Sequence, residues 1–271
     1  MRFLNGGELA DFIKERQAHQ VRALRQHDKI LPRLAIVITK DDPVIETYVR
    51  IKKTYGKDIL VDVDIHRVSM ADLAGKIEEL NNDSSVIANV LQLPLSDPEK
   101  TDEFVAKIAP QKDVDGLGPQ ADFDSATAVA INWLLTGYNI DLKQKKITIV
   151  GQGRLVGKPL AQMWRNSGLD VTVVDSTTVD MKSILLSSDI IVSAAGVPNL
   201  ISGDMVPPAA VVVDAGTASE GAKIVGDVAD EIYEREDITI TPRRGGVGPL
   251  TVAALFDGVI QAAQKLAQTK A

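Results

Sequence analysis

Tyr48 and Lys52 stand four residues apart in a stretch that opens on Asp42-Pro43, an N-cap followed by a first-turn proline. A helix there carries both side chains on one face. A lysine beside a phenol and away from bulk water has its pKa lowered toward neutrality, which suits it to proton transfer. With Arg50 and Lys53 alongside, the same residues also fit a plain solvated basic face. Gln92 falls at the C-terminal end of the apolar run 86–93, ahead of Pro94. Open α/β sheets place ligands at strand C-termini, where an amide can hold a substrate or orient a lysine; a buried, satisfied glutamine fits equally well. Lys112-Asp-Val-Asp115-Gly116 sets two carboxylates two residues apart at a tight turn. No third cluster of oxygen ligands adjoins them, so a metal is not expected; the open readings are a carboxylate that accepts from a nitrogen heterocycle and a plain turn.

A second group of residues points to a phosphate-bearing ligand. Gly151-Gln-Gly153-Arg-Leu-Val-Gly157 lies between an apolar run and a helical pattern and is a variant of the dinucleotide fingerprint. Glycines there permit a tight turn and let backbone N–H groups approach a pyrophosphate at a helix N-terminus, although a structural turn would use them too. Asp175 ends the next strand, 24 residues after Gly151. An acidic residue near there accepts a hydrogen bond from the adenosine ribose 2′-hydroxyl and repels a 2′-phosphate; the plain alternative is a solvated strand end. Gly245-Gly-Val-Gly248-Pro249 follows a strand and opens the last helix, with glycines that allow a close backbone approach to a ligand or simply a turn.

Composition narrows the chemistry further. The 271 residues contain no cysteine, and the three histidines, His19, His27 and His66, lie far apart. Disulfides, thiolate nucleophiles and histidine metal sites are excluded or disfavoured, which leaves carboxylates, lysines, amides, hydroxyls or a bound cofactor. The net charge of −7 argues against a nucleic-acid surface. Residues 1–16 carry Glu8, Asp11 and Glu15 with no apolar signal core, and no apolar run is long enough to span a membrane, so a cytoplasmic protein is expected.

The elements that must position these residues alternate. Helix is expected over 4–28, 43–55 with a stop at Gly56, 69–80, 98–109, 125–136, 158–166, 181–186 and 251–268. Strands are expected over 33–39, 58–68, 86–93, 146–150, 171–175, 189–194, 209–214 and 238–241. Such alternation predicts parallel sheets covered by helices. The length allows two domains, with no repeat and no low-complexity linker between them.

Taken together, Tyr48-Val-Arg-Ile-Lys52, Gln92-Leu-Pro-Leu95, Lys112-Asp-Val-Asp-Gly116, the Gly151–Gly157 turn with Lys158-Pro159, and Gly245-Gly-Val-Gly-Pro249 resemble bifunctional methylenetetrahydrofolate dehydrogenase/methenyltetrahydrofolate cyclohydrolase over nearly the whole chain. Leu80-Asn-Asn-Asp83, Ser188-Asp-Ile190, Gly226-Asp227 and Thr241-Pro242 are smaller echoes. The resemblance implies an α/β fold of two α/β domains flanking a cleft, the second a Rossmann-like dinucleotide-binding domain. Residues 1–120 and 251–271 would form the folate-binding catalytic domain and 121–250 the NAD(P)-binding domain. It implies oxidation of methylenetetrahydrofolate by NADP or NAD, then hydrolysis of the methenyl product to formyltetrahydrofolate. A monofunctional dehydrogenase and a non-catalytic dinucleotide-binding module are the competing readings.

By resemblance, Lys52 is the proton-transfer group, Tyr48 packs on the folate, Gln92 tunes the lysine and Asp115 anchors the pterin. Leu93, Pro94, Val247, Gly248 and Pro249 line the substrate site. The dinucleotide would meet Gly151, Gln152, Gly153, Arg154, Val156, Gly157, Asp175, Ser176, Ala195, Gly196, Asp214, Gly216 and Gly246. A homodimer is also implied. Several positions depart from the family pattern. Ile45 replaces a serine, Ser125-Ala-Thr127-Ala replaces Pro-Cys-Thr-Pro, and Arg244 replaces a proline. Gln152-Gly153 stands for Arg-Ser and Asp175-Ser176-Thr177 for His-Ser-Arg; losing those cations and gaining Asp175 lean the cofactor towards NAD.

Overall fold

A computed structural model describes residues 2–216, 218–220 and 223–270. In chain order the elements are β1 (Arg2–Phe3), α1 (Gly6–Gln26), β2 (Arg33–Ile38), α2 (Pro43–Asp58), β3 (Asp62–Arg67), α3 (Leu73–Asn82), β4 (Ala88–Leu91), α4 (Thr101–Val105) and α5 (Ala126–Gly137). They continue with β5 (Ile147–Val150), α6 (Gly157–Asn166), β6 (Val171–Val174), α7 (Met181–Leu186), β7 (Ile190–Ser193), β8 (Val211–Asp214), β9 (Ala218–Glu220), β10 (Lys223–Val225), β11 (Thr239–Ile240) and α8 (Val247–Lys270). The chain forms two compact units. One holds Asp11–Ala126 and the chain from Val252 on; the other holds the residues up to Ala10 and Thr127–Thr251.

The first, the lysine unit, is built on a parallel sheet in the order β3-β2-β4. β2 is central and buried along nearly its whole length, as expected for a parallel strand covered on both faces. On one face Ala35, Val37 and Leu91 pack with Leu73, Ile77 and Leu80 of α3 and Phe104, Val105 and Ile108. α2 starts where its sequence says it should. Asp42 is extended, its side chain accepts from the amides of Val44 and Ile45, and Pro43 needs no partner for its nitrogen.

α2 does not stop at Gly56 as its composition suggests; it runs to Asp58. Gly56 is buried, and a Cβ there would lie 2.5 Å from Val63 Cγ2 and 3.0 Å from Val61 O. The glycine therefore admits the returning chain. Residues 59–61 form the helix cap, with Leu60 at φ 65°, so β3 begins at Asp62 instead of 58. Tyr55 stacks on Phe256 of α8, with centroids 5.0 Å apart, and its hydroxyl donates to Gln17 Oε1 at 2.8 Å. Gln17 in turn donates to Ala253 O at 2.8 Å, which fastens α1, α2 and the later turns of α8 together. The helix expected over 98–109 is only a 3-10 turn, Pro98–Lys100, and the short α4; Pro110 discourages helix in the residues before it.

The second, the glycine-turn unit, holds a six-stranded sheet in the order β1-β11-β8-β7-β5-β6, every pair parallel. From β5 the chain moves outward to β6 and then crosses to β7 on the other side, which places the topological switch point between β5 and β7. Val150, Val174, Ile191, Val212 and Ile240 anchor its core. β1, two residues long, pairs with β11, so the start of the chain lies in this unit and not with the residues that follow it. The antiparallel pair β9–β10 is a further addition to the expected elements. α8 begins at Val247, four residues before its expected start, so Val247-Gly248-Pro249 forms its first turn.

Candidate active site

In the lysine unit β2 pairs with both neighbours, and its register brings the C-terminal end of β4 close to α2. Lys52 Nζ donates to Gln92 Oε1 at 2.9 Å. Gln92 is itself buried and fixed, since its Nε2 donates to Leu93 O at 3.0 Å and its backbone amide to Val37 O at 2.9 Å. The Leu93–Pro94 peptide bond is cis. Burial pushes the Lys52 ammonium below the ordinary lysine range, and the charge of Asp115 pulls in the opposite direction. Burial raises the Asp115 carboxyl, and Lys52 lowers it. Tyr48, one helical turn before Lys52, is half-buried, and burial raises its phenol.

The two carboxylates of 112–116 separate cleanly. Asp113 is buried and accepts from the amides of Gly116 at 3.1 Å and Gly118 at 2.7 Å, so it holds the turn that Gly116 makes at φ 66°. Asp115 keeps partial exposure, and its carboxylate accepts no hydrogen bond from the described residues. Lys112 is structural: its Nζ donates to Leu80 O at 2.8 Å and Asp83 O at 2.7 Å, closing the end of α3.

In the glycine-turn unit the outer glycines meet packing demands. Gly151 has φ 103°, and a Cβ would lie 2.6 Å from Ala194 O; a Cβ on Gly157 would overlap Gly151 O. Gly153 differs, since a Cβ there would meet nothing nearer than Ala194 O at 3.8 Å. No side chain caps the start of α6, where Val156 is the N-cap. Gln152 Nε2 donates to Asp175 Oδ2 at 2.7 Å, while Asp175 Oδ1 accepts from the Thr177 hydroxyl at 2.6 Å and its amide at 2.9 Å. Those Thr177 bonds first, then Gln152, hold the Asp175 carboxyl below the usual carboxylate range. Ser176 is exposed beside it.

Asp214 is spent on backbone, accepting from the amides of Gly216 and Asp227 at 3.1 Å and Val228 at 3.2 Å; burial raises its carboxyl. Ala195 and Gly196, the latter at φ 69°, follow β7. Gly246 is buried at the entry to α8; Val247 is buried, Gly248 exposed and Pro249 half-buried. Tyr48, Lys52, Gln92, Leu93, Pro94 and Asp115 thus belong to the lysine unit, and the remaining expected residues to the glycine-turn unit.

Two family models match the chain: "Tetrahydrofolate dehydrogenase/cyclohydrolase, catalytic domain" over residues 4–115, and the same family's "NAD(P)-binding domain" over residues 125–267. A bifunctional protein FolD from Francisella tularensis subsp. holarctica is 35% identical, the match spanning 98% of this chain and 99% of that protein. The chain belongs to the tetrahydrofolate dehydrogenase/cyclohydrolase family. The bifunctional FolD methylenetetrahydrofolate dehydrogenase/cyclohydrolase structure from Campylobacter jejuni superposes with a TM-score of 0.92 at 33% identity, covering 98% of this chain and 99% of that one. The FolD structure from Trypanosoma brucei, complexed with NADP cofactor and inhibitor, gives a TM-score of 0.91 at 28% identity, covering 99% and 98%.

Within this family member the glycine turn fits a dinucleotide. Gly153 leaves its backbone approachable, α6 starts uncapped just beyond it, and both lie at the switch point. Among the described residues no group of three acidic or histidine side chains could hold a metal, and no helix is long and apolar enough to cross a membrane. One residue absent from the sequence-based site is Asp227, fully buried among the loops at the strand ends. Gly226-Asp227 is an echo of the family in the sequence, but a Gly-Asp pair by itself assigns the carboxylate no role.

Proposed function

We propose that this chain oxidises 5,10-methylenetetrahydrofolate to 5,10-methenyltetrahydrofolate and hydrolyses the product to 10-formyltetrahydrofolate, a conversion of one-carbon metabolism. The observation that carries the reading is the Lys52–Gln92 hydrogen bond, made by a lysine whose pKa burial lowers. NAD or NADP, when bound, would supply the acceptor for the hydride that leaves the methylene carbon. Asp115, its acceptor sites unspent, takes hydrogen bonds from the pterin nitrogens. Tyr48 packs on the folate ring, with Leu93 and Pro94 beside it. Neutral Lys52 takes a proton from the water that adds to the methenyl carbon; the ring then opens and the nitrogen that leaves the carbon gains a proton. Gln92, presenting its oxygen to Nζ, holds the amine in place.

The cofactor meets the backbone of Gly151, Gly153 and Gly157, with Gln152, Arg154, Val156, Ser176, Ala195, Gly196, Gly216 and Gly246 around it. Asp175 favours a free ribose 2′-hydroxyl, because a carboxylate held ionised by Thr177 repels a 2′-phosphate. Gln152, bonded to Asp175, offers no cation in compensation. A homodimer belongs to the same proposal; its support is the family resemblance, and light scattering reads it directly. The test of the reaction mixes protein, methylenetetrahydrofolate and either dinucleotide, and follows methenyl formation and its decay by absorbance. Turnover with NAD at a kcat/KM at least equal to that with NADP is expected. No turnover with either would leave a binding module, methenyl accumulation without decay a monofunctional dehydrogenase, and a large NADP preference would contradict the role of Asp175.

A further inference from the structure

Beyond the last backbone pairing of β7 and β8, where Ala194 donates to Val150 O and Ala215 to Ser193 O, the loop amides turn to two carboxylates, the buried Asp227 and the half-buried Asp214. Asp227, fully buried, accepts from Ser193 Oγ at 2.6 Å and the Ala195 amide at 2.7 Å through Oδ2, and from the Val197 amide at 2.8 Å through Oδ1. Its own amide donates to Asp214 Oδ1 at 3.1 Å, and its carbonyl accepts from Ile201 at 3.1 Å. A Cβ on Gly216 would overlap the Asp227 carboxylate, so the loop after β8 closes against it as well.

The loop held by Asp227 is the surface on which the glycine turn rests. A Cβ on Gly151 would come within 2.6 Å of Ala194 O and 2.9 Å of Ala195 Cα. Displacing Ala194 and Ala195 therefore displaces Gly151, and with it the backbone that receives the pyrophosphate. We propose that Asp227 is a positioning residue for dinucleotide binding, acting through the 194–197 loop on the Gly151 turn; this rests on the function proposed above. The side chain must be acceptor-only, because all three of its partners donate. An asparagine would turn an NH2 against at least one of those amides and leave it unsatisfied.

The test compares wild type, Asp227→Asn and Ser193→Ala in dehydrogenase assays with varied dinucleotide, and in hydrolysis of supplied methenyltetrahydrofolate, which needs no dinucleotide. Asp227→Asn is expected to raise the dinucleotide KM by about tenfold or more while kcat stays within about twofold and hydrolysis is unchanged. Ser193→Ala removes one donor and is expected to raise KM by a smaller factor. A wild-type KM in Asp227→Asn overturns the proposal; if that variant does not fold, a wild-type KM in Ser193→Ala does so. Should wild type show no turnover, the proposed function fails first. Calorimetric titration of NAD and NADP into the same proteins then decides the brace separately: weaker binding by the variants upholds it, and equal binding overturns it.

Discussion

Asp113 and Asp115 are near neighbours in sequence with opposite uses. One is folded into its own turn by two backbone amides; the other is left with acceptor capacity and a lysine for company. The pairing sets a signed expectation. The Asp115 charge raises the Lys52 pKa against the burial that lowers it. Asp115→Asn removes the opposing influence, so Lys52 loses its proton at lower pH. Hydrolysis that depends on neutral Lys52 rises with pH, and its acid limb is expected to move to lower pH in Asp115→Asn, with a raised folate KM. A pH-rate profile at saturating folate checks it; a limb that stays put or moves to higher pH contradicts the coupling. Tyr48, Lys52, Gln92 and Asp115 were legible in the sequence because each sits in a short motif of fixed spacing. Gly226-Asp227 is legible as an echo of the family, but the role of Asp227 is not: its partners, Ser193, Ala195 and Val197, lie about thirty residues away and only the folded sheet brings them together.

Among elements, α2 carries the chemistry and shows where local sequence is enough. Its start was readable because Asp42 and Pro43 act within one turn. Its end was not, because Gly56 answers to Val61 and Val63 of the returning chain and to Phe256 of α8, contacts that only the folded chain makes. Gly56→Ala gains helix propensity of about 1 kcal/mol. Forcing a methyl 2.5 Å from Val63 Cγ2 and 3.0 Å from a backbone carbonyl outweighs that gain, since overpacking costs about 1–3 kcal/mol and backbone yields least. The variant is expected to melt a few degrees lower. A thermal midpoint at or above wild type would restore the view of Gly56 as an ordinary helix terminator. β1, β9 and β10 escaped notice for a related reason: strands of two or three residues carry too little periodicity to register and exist through their pairing.

For the whole molecule, the absence of cysteine and of paired histidines mattered more than the net charge of −7. In the proposed reaction it leaves one lysine, Lys52, lowered by burial, to move protons. The acidic total describes the chain at large; in the proposed function the ligands meet local groups instead, backbone amides at the glycine turn and one carboxylate beside one ammonium. The proposed proton-transfer residues lie in one unit and the proposed dinucleotide-holding residues in the other, so the two activities are expected to respond to different substitutions. On the proposed roles, Asp227→Asn is expected to act on dehydrogenation alone, and substitutions of Lys52 chiefly on hydrolysis. The most direct test is therefore the hydrolysis rate of methenyltetrahydrofolate, followed by absorbance, in Lys52→Met beside wild type. A loss of at least about a hundredfold, larger than any loss in the dehydrogenase step, is the expected result, while hydrolysis at the wild-type rate would show that Lys52 is not the proton-transfer group.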